Sequence, residues 1–322
     1  MTWTQRGLVV GAYALFAGLA DEDLAAAYRA LESLPAIGAL EMPLAEALGE
    51  RAALGPPRQG LPGVVADWWD VVVTAIPTVM ARLDADPRYG LASTDRLGRE
   101  AALADALRAV RLARDAAQHA GRVRVPAIEL HSAPRAPLAN AAALERSLTQ
   151  LLEADMTGVR LVLEHCDATR PGQASEKGFL DLDVELGVLG AVDDPRLGIT
   201  VNWGRSAIEG RSAAAPLEHV RLTTSVGRLA GLMFSGASAH GGPWGGPWQD
   251  GHIAPRDSGG SDTWPESLLG IEEITEAVSA ATGSGCYFGH KVTSGPPTTP
   301  VSERLAIARS TGEMILSNAA VA

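Results

Sequence analysis

Short apolar runs recur along this chain, and each of them ends in a small group of polar residues. The clearest run, residues 159–168 (VRLVLEHCDA), breaks into Glu164, His165, Cys166 and Asp167. The same form recurs in residues 125–135, 197–205, 229–237 and 286–292. A short apolar run bounded by polar residues is typical of a buried parallel strand. The pattern therefore predicts strands whose chemistry lies at their carboxyl ends.

Eight such strands alternate with helical patterns. The predicted strands cover residues 8–14, 37–42, 70–76, 125–131, 159–168, 197–203, 229–235 and 286–291. The predicted helices cover residues 21–34, 94–120, 140–153, 176–189, 216–227, 271–282 and 301–316, and the side chain of Asp21 is expected to cap the first of them. Eight strand–helix units joined by right-handed crossovers assemble most economically into an α/β fold, a closed (β/α)8 TIM barrel. An open doubly wound sheet is the alternative, but no GxGxxG follows any strand.

The length of 322 residues suits a single barrel domain spanning residues 1–322. The chain is 46% hydrophobic, which supports a large core, and its mean hydropathy of +0.06 does not indicate a membrane protein. No apolar stretch approaches the length of a transmembrane helix. The apolar segment near the N-terminus fits the first strand, which we favour over a signal peptide.

Charge and cysteine content narrow the partners and the compartment. A net charge of −11 and a pI near 5.1 argue against nucleic-acid binding, which needs a basic surface. The two cysteines, Cys166 and Cys286, both fall within predicted strands and form no CxxC spacing. This usage is typical of a reducing compartment, and we expect a cytoplasmic protein.

Side chains alternate along a strand, so the residues that face the barrel interior can be predicted. In the fourth strand, Ile128 and Leu130 should pack on helices, which turns Glu129 and His131 inward together. Lys291 is one of only two lysines among 27 basic residues, so we do not expect it to serve solvation alone. The residues predicted at the interior rim are Glu41, Glu129, His131, Glu164, Asn202, Ser235 and Lys291.

Carboxylates, an imidazole and an ammonium on one barrel face predict a proton-transfer or metal site. Structural alternatives remain open for the same residues. Glu164 and Lys291 could form a buried ion pair that only neutralises itself, and His131 could be a packing residue held by a backbone carbonyl. His119 and His219 are expected on helix surfaces.

Two loops carry candidate substrate-binding residues. In the predicted loop 202–219, Arg205, Glu209 and Arg211 could clamp a carboxylate, phosphate or sulfonate, or form a structural Arg-Glu-Arg brace. The Gly/Pro-rich segment 236–268 reads as a long lid-like loop after the seventh strand. Its candidate ligand-binding residues are His240, Trp244 and Trp248, because indole faces stack well on sugars. The same loop could instead reach a second subunit of a homodimer.

Four segments carry a resemblance to known proteins: LVLEHCD, ELHSAPR, NWGRSAIEGR and GLMFSGAS. They resemble an uncharacterised bacterial family, a domain of unknown function within the xylose-isomerase-like TIM-barrel superfamily, over nearly the whole chain. That superfamily includes sugar isomerases, ketose 3-epimerases, hydroxypyruvate isomerase and apurinic endonucleases. The resemblance implies the barrel fold and brings no established activity.

The superfamily's epimerases bind a divalent metal with Glu, Asp, His or Gln, and Glu from strands five to eight. The resemblance places Glu164 at the first position but Asn202, Ser235 and Lys291 at the other three. No cofactor is therefore certain, and a metal at the usual positions is not expected because an ammonium repels a cation. If a metal binds, the remaining candidates are Glu129, His131, Glu164 and His165.

These observations favour an isomerase or epimerase acting on a sugar or sugar acid. Glu164 or Glu129 would move a proton next to a carbonyl, and Lys291 would stabilise the enolate oxygen. Arg205 and Arg211 would hold an anionic group. The alternatives are a non-catalytic sugar-binding or regulatory barrel, and a carbohydrate lyase or aldolase that uses Lys291 as a Schiff base. Endonuclease activity fits the acidic chain poorly.

Overall fold

The computed structural model describes residues 7–34, 36–156, 158–242, 245–259, 264–293 and 298–319. Within these ranges, eight strands form a closed barrel in chain order, and the strand pairs with an assigned register run parallel. The predicted (β/α)8 barrel is confirmed. The strands are β1 Leu8–Val10, β2 Ile37–Pro43, β3 Asp70–Thr74, β4 Ala127–Leu130, β5 Arg160–His165, β6 Leu197–Asn202, β7 Leu229–Phe234 and β8 Tyr287–His290.

Helices connect the strands. They are α1 Ala12–Leu15, α2 Asp21–Ala30, α3 Leu44–Ala47, α4 Ile76–Ala85, α5 Arg96–Ala120, α6 Ala141–Leu152, α7 Leu182–Val192, α8 Trp203–Gly210, α9 Ala215–Ser225, α10 Ile271–Ala280 and α11 Val301–Ala319. None of the helices in the described ranges is both long enough and apolar enough to cross a membrane.

The beginnings of several helices follow from capping residues. The side chain of Asp95 accepts the N–H of Gly98 at the start of α5, and Asn140 accepts the N–H of Ala143 at the start of α6. The predicted cap of α2 is wrong, because Asp21 is the first helical residue and makes no side-chain cap. Its charge lies in the first turn, where it interacts favourably with the helix dipole.

Two strands are shorter than predicted because helices begin early. The strand predicted over residues 8–14 ends at Val10, and α1 takes up most of the remainder. The strand predicted over residues 70–76 ends at Thr74, and the unpredicted helix α4 begins at Ile76. Pro77 lies in its first turn, where a missing N–H costs nothing.

Helix α7 begins at Leu182, later than the predicted start at residue 176. The carboxylate of Asp167 accepts the backbone N–H of Glu176 at 2.7 Å and that of Lys177 at 3.0 Å. These bonds hold the preceding segment as a loop. The two cysteines are buried and not in a disulfide, but each lies just outside a strand rather than within one.

The segment 202–219, predicted as one loop, is largely helical. Asn202 caps α8 by accepting the N–H of Arg205, and Arg211 ends the helix at a φ of +47°. Arg205 and Glu209 therefore lie on a helix. Helix α8 begins directly after β6 because Asn202, the last residue of the strand, caps it with its side chain.

Residue contacts divide the chain into two compact units. The first comprises Met1–Glu41, Val64–Trp69 and Val201–Ala322, and the second comprises Met42–Gly63 and Asp70–Thr200. Each unit has fully buried apolar residues of its own: Val9, Leu232 and Phe234 in the first, and Val72, Ile128 and Leu148 in the second.

Candidate active site

Each predicted rim residue lies at or next to the carboxyl end of its own strand. Those within the last three residues of a strand are Glu41, Glu129, Glu164 and Asn202. Those directly after a strand are His131, Ser235 and Lys291. None of the seven is more than 1% exposed. Buried polar groups at strand ends of a (β/α)8 barrel are where catalytic residues of this fold are found.

The first unit contains a buried ion pair. Lys291 Nζ lies 2.5 Å from Glu41 Oε1, and both side chains have zero exposure. The ammonium also lies 5.8 Å from the centre of the Tyr13 ring, a cation–π distance. We call Tyr13, Glu41 and Lys291 the lysine cluster. The backbone N–H of Lys291 donates to the carbonyl of Phe234 at 2.8 Å, which extends the pairing of β7 and β8 to this residue.

Gly11 provides the space for the lysine cluster. A Cβ at this position would lie 3.0 Å from Glu41 Oε2 and 3.1 Å from Cβ and Cγ of Lys291. Its backbone N–H donates to the carbonyl of His290 at 2.9 Å, which fixes the chain against β8. Any larger residue would push against the ion pair.

Asn202 and Ser235 form a second polar pair in the same unit. Ser235 Oγ donates to Asn202 Oδ1 at 3.2 Å, and the same oxygen accepts the N–H of Arg205 at 3.3 Å. Gly204 permits the approach, since a Cβ there would lie 2.6 Å from Ser235 Oγ. The amide oxygen of Asn202 is therefore already engaged by two donors.

The donor set does not fit a divalent metal at the positions that the resemblance indicates. Lys291 offers an ammonium, which cannot ligate a cation and is paired with Glu41. Asn202 and Ser235 are bonded to each other, and neither carries a charge. Hard divalent cations prefer carboxylates and imidazoles.

Helix α8 is tied to the loop that follows β7. Arg205 Nε lies 3.1 Å from Asp250 Oδ2, and the two side chains are 1% and 7% exposed. Asp250 Oδ1 also lies 3.3 Å from His252 Nδ1. The guanidinium of Arg211 lies 5.1 Å above the ring of Trp248. Asp250 was not singled out from the sequence, although an isolated acid in a Gly/Pro-rich loop was a usable signal.

The remaining loop candidates are spread over different environments. Glu209 is buried on α8, whereas His240 is exposed and its backbone N–H donates to Ser238 Oγ at 3.0 Å. Trp244 lies outside the described residues. His219, predicted at the surface, is partly buried, and its Nδ1 lies 2.9 Å from Ser206 Oγ.

The second unit contains an imidazole–carboxylate pair. His131 Nε2 lies 3.0 Å from Glu164 Oε2, and both side chains have zero exposure. The register of β4 and β5 places Leu130 beside Leu163, so the next residues are cross-strand neighbours. Glu129, two residues before His131, is fully buried as well. We call Glu129, His131 and Glu164 the histidine cluster.

A second buried imidazole–carboxylate pair lies on the helix side of β5. His165 Nδ1 lies 2.8 Å from Oε2 of Glu185 on α7, and Ser132 Oγ donates to Glu185 Oε1 at 2.6 Å. Successive strand residues point to opposite faces, which turns His165 away from the face of Glu164. Glu185 was missed in the sequence, although a lone Glu between Val184 and Leu186 in an apolar helix is a signal of a buried polar contact.

The fold defines the class of protein: the chain is a (β/α)8 TIM barrel, as its sequence predicted. The chain belongs to the DUF4862 family, described as a domain of unknown function, whose model matches residues 9–307. It is 34% identical over 322 residues to the uncharacterized protein STM3670 of Salmonella typhimurium (strain LT2), with 94% of each chain covered.

Solved structures share the fold at low sequence identity. The IOLI protein with a binding zinc atom aligns with a TM-score of 0.60 at 10% identity, over 97% of this chain and 99% of its own. A D-tagatose 3-epimerase-like protein aligns with a TM-score of 0.55 at 16% identity, over 88% and 91%. A xylose isomerase-like TIM barrel/4-hydroxyphenylpyruvate dioxygenase fusion protein aligns with a TM-score of 0.58 at 12% identity, over 93% of this chain, which spans 41% of the fusion's length.

Proposed function

We propose that this protein is an isomerase or epimerase that moves a proton at the carbon next to a carbonyl of a sugar or sugar acid. The observation that carries the proposal is the buried pair of His131 and Glu164, with the buried Glu129 two residues before His131 on β4. Acid and base groups excluded from water are what carbon-proton transfer requires. The D-tagatose 3-epimerase-like protein described above shares this fold and supports the substrate class.

The carboxylate of Glu164 is assigned as the base. It takes the proton from the α-carbon, and the electrons of the broken C–H bond form the enolate double bond and move charge onto the carbonyl oxygen. His131 orients this carboxylate through its Nε2 contact. Because an ionised carboxylate only accepts hydrogen bonds, the contact places a proton on Nε2. Return of the proton to carbon, from Glu164 or from Glu129, completes the reaction.

Lys291 is assigned to the enolate oxygen as a fixed positive charge. This assignment replaces a metal at the positions that the resemblance indicates, because the donors at those positions do not fit one. A Schiff base would need the neutral amine, and the contact with Glu41 at 2.5 Å opposes loss of the proton. The ion pair therefore favours the isomerase or epimerase over a lyase or aldolase.

The loop residues are assigned to binding of the substrate. Trp248, with Arg211 stacked on it, offers an aromatic face and a cation to a sugar that carries an anionic group. Arg205 is assigned a bracing role, because its guanidinium is buried and paired with Asp250.

The test is hydrogen exchange at carbon. The protein is incubated in D2O with a panel of aldoses, ketoses, uronic acids and sulfonated sugars, and deuterium next to the carbonyl is followed by NMR. We expect at least one sugar to incorporate deuterium, and Glu164→Gln to slow this at least about 100-fold, since general base catalysis contributes about 10²–10⁴-fold.

The matched control is Glu145→Gln, an exposed residue of α6, which should exchange at the wild-type rate. A sugar that binds but is recovered without deuterium after prolonged incubation would contradict the proposal and favour a binding barrel. Exchange at the wild-type rate in Glu164→Gln would contradict the assignment of the base.

A further inference from the structure

The first unit contains a cavity of about 130 Å³ between the barrel wall and α11. Apolar side chains from β1, β2 and α11 and the turn before β2 line most of it. They are Leu8, Val10, Leu34, Ile37, Ala308 and Leu316. Helix α11 presents the small residues Ala308 and Gly312 to the cavity.

One buried polar side chain, that of His290, lines this mostly apolar cavity. His290 is 2% exposed. It precedes Lys291, and successive strand residues point to opposite faces, so its ring lies on the helix side of β8. Burial lowers the pKa of His290 to about 4, so the ring is neutral near pH 7 and offers one donor and one acceptor.

A buried imidazole is stabilised by hydrogen bonds to its ring nitrogens, and a molecule in the cavity can supply one. A space of this size far exceeds the roughly 10–15 Å³ that one water needs. Apolar walls with a single polar group are typical of small-molecule sites. The charged residues Arg309 and Glu313 of α11 also border the cavity and are exposed, which gives the cavity a polar opening.

We propose that this cavity is a second ligand site, separate from the candidate active site, for a small neutral molecule with an apolar body and one hydroxyl group. The hydroxyl bonds to the imidazole of His290, and the apolar body fills the space beside Ala308 and Leu8. Binding here requires neither the proposed reaction nor its substrate.

Phenol is the probe, benzene is the probe without a hydroxyl, and benzoate is the charged probe. Binding is followed by calorimetry and by the ¹⁵N shifts of the His290 ring. We expect millimolar or tighter binding of phenol with a shift of the His290 signals, weaker binding of benzene, and no binding of benzoate.

Two variants separate the parts of the site. His290→Leu should weaken phenol at least 5-fold while leaving benzene unchanged. Ala308→Leu should fill the cavity and abolish both, whereas Ala306→Leu, at an exposed position of the same helix, should bind like the wild type. If Ala308→Leu does not fold, His290→Leu still decides the question.

Several outcomes would overturn the proposal. Phenol could fail to bind at concentrations up to about 10 mM. Benzoate could bind as well as phenol, or phenol could bind the His290→Leu variant as well as the wild type. Wild-type binding in a folded Ala308→Leu variant would show that the probe binds elsewhere.

Discussion

The lysine cluster and the histidine cluster are equally buried but differ in what their charges can do. In the lysine cluster, an ammonium and a carboxylate lie 2.5 Å apart. In the histidine cluster, an imidazole meets one carboxylate at 3.0 Å and a second carboxylate, Glu129, precedes it on the same strand. An ion pair out of water holds both partners charged, whereas a carboxylate oriented by an imidazole can take a proton from carbon. The difference assigns fixed charge to one cluster and proton transfer to the other.

The largest expected effect comes from breaking the ion pair. Lys291→Met should lower the free energy of unfolding by about 3–5 kcal/mol, because it leaves the Glu41 carboxylate buried without its countercharge. Denaturant unfolding measures this change. Lys177→Met, at the other lysine of the chain, should change stability by no more than about 0.5 kcal/mol.

A double variant separates stability from chemistry. Lys291→Met combined with Glu41→Leu should recover most of the stability, since an apolar pair often replaces a buried ion pair at little cost. It should stay inactive in the hydrogen-exchange assay. A stable double variant with wild-type activity would limit the lysine cluster to a structural role.

Acid should destabilise the strand that leads into the lysine cluster. His290 has a pKa of about 4 in the folded protein, lowered by burial from its ordinary value of 6.5. The unfolded chain therefore binds the proton first, and the stability present above pH 6.5 is lost as the pH falls toward 4, by on the order of 3 kcal/mol. The free energy of unfolding, measured from pH 7 to 4, should fall less in His290→Leu than in the wild type. If it falls equally in both proteins, the loss of stability does not come from His290.

A smaller effect is expected from crowding the ion pair. Gly11→Ala should cost about 1–3 kcal/mol, because its Cβ would lie 3.0 Å from Glu41 Oε2. Gly187→Ala is the matched control: a Cβ there meets nothing within 4 Å, and alanine is the better helix former. Equal stability of Gly11→Ala and the wild type would show that the cluster is less tightly packed than its distances indicate.

The smallest effect should come from removal of metal ions. If Lys291 supplies the positive charge, dialysis against a chelator should change the exchange rate by less than about 2-fold. Added zinc or manganese should not increase it. If a chelator abolished the activity and one of these ions restored it, the fixed positive charge would belong to a metal ion. The lysine cluster would then not have the role that distinguishes it from the histidine cluster.

Part of the site follows from local patterns. Strand alternation predicted that Glu129 and His131 share one face, and a second apolar run placed Glu164 at the end of the next strand. The register of β4 and β5 brings His131 and Glu164 together. The segment 202–219 went wrong for a local reason as well. A polar cap at Asn202 began a helix directly after the strand, where glycine and arginine residues suggested a loop.

Hydrophobic periodicity predicted the order of the eight strands, the barrel they form and the strand ends that carry acids and bases, because these depend on neighbours a few residues apart. Tertiary structure decided the partners: Glu41 for Lys291, Asp250 for Arg205 and Glu185 for His165. Which charge neutralises which is set by contacts between residues far apart in the chain. No local pattern encodes such contacts, since each buried charge selects its partner only once the strands have closed around it.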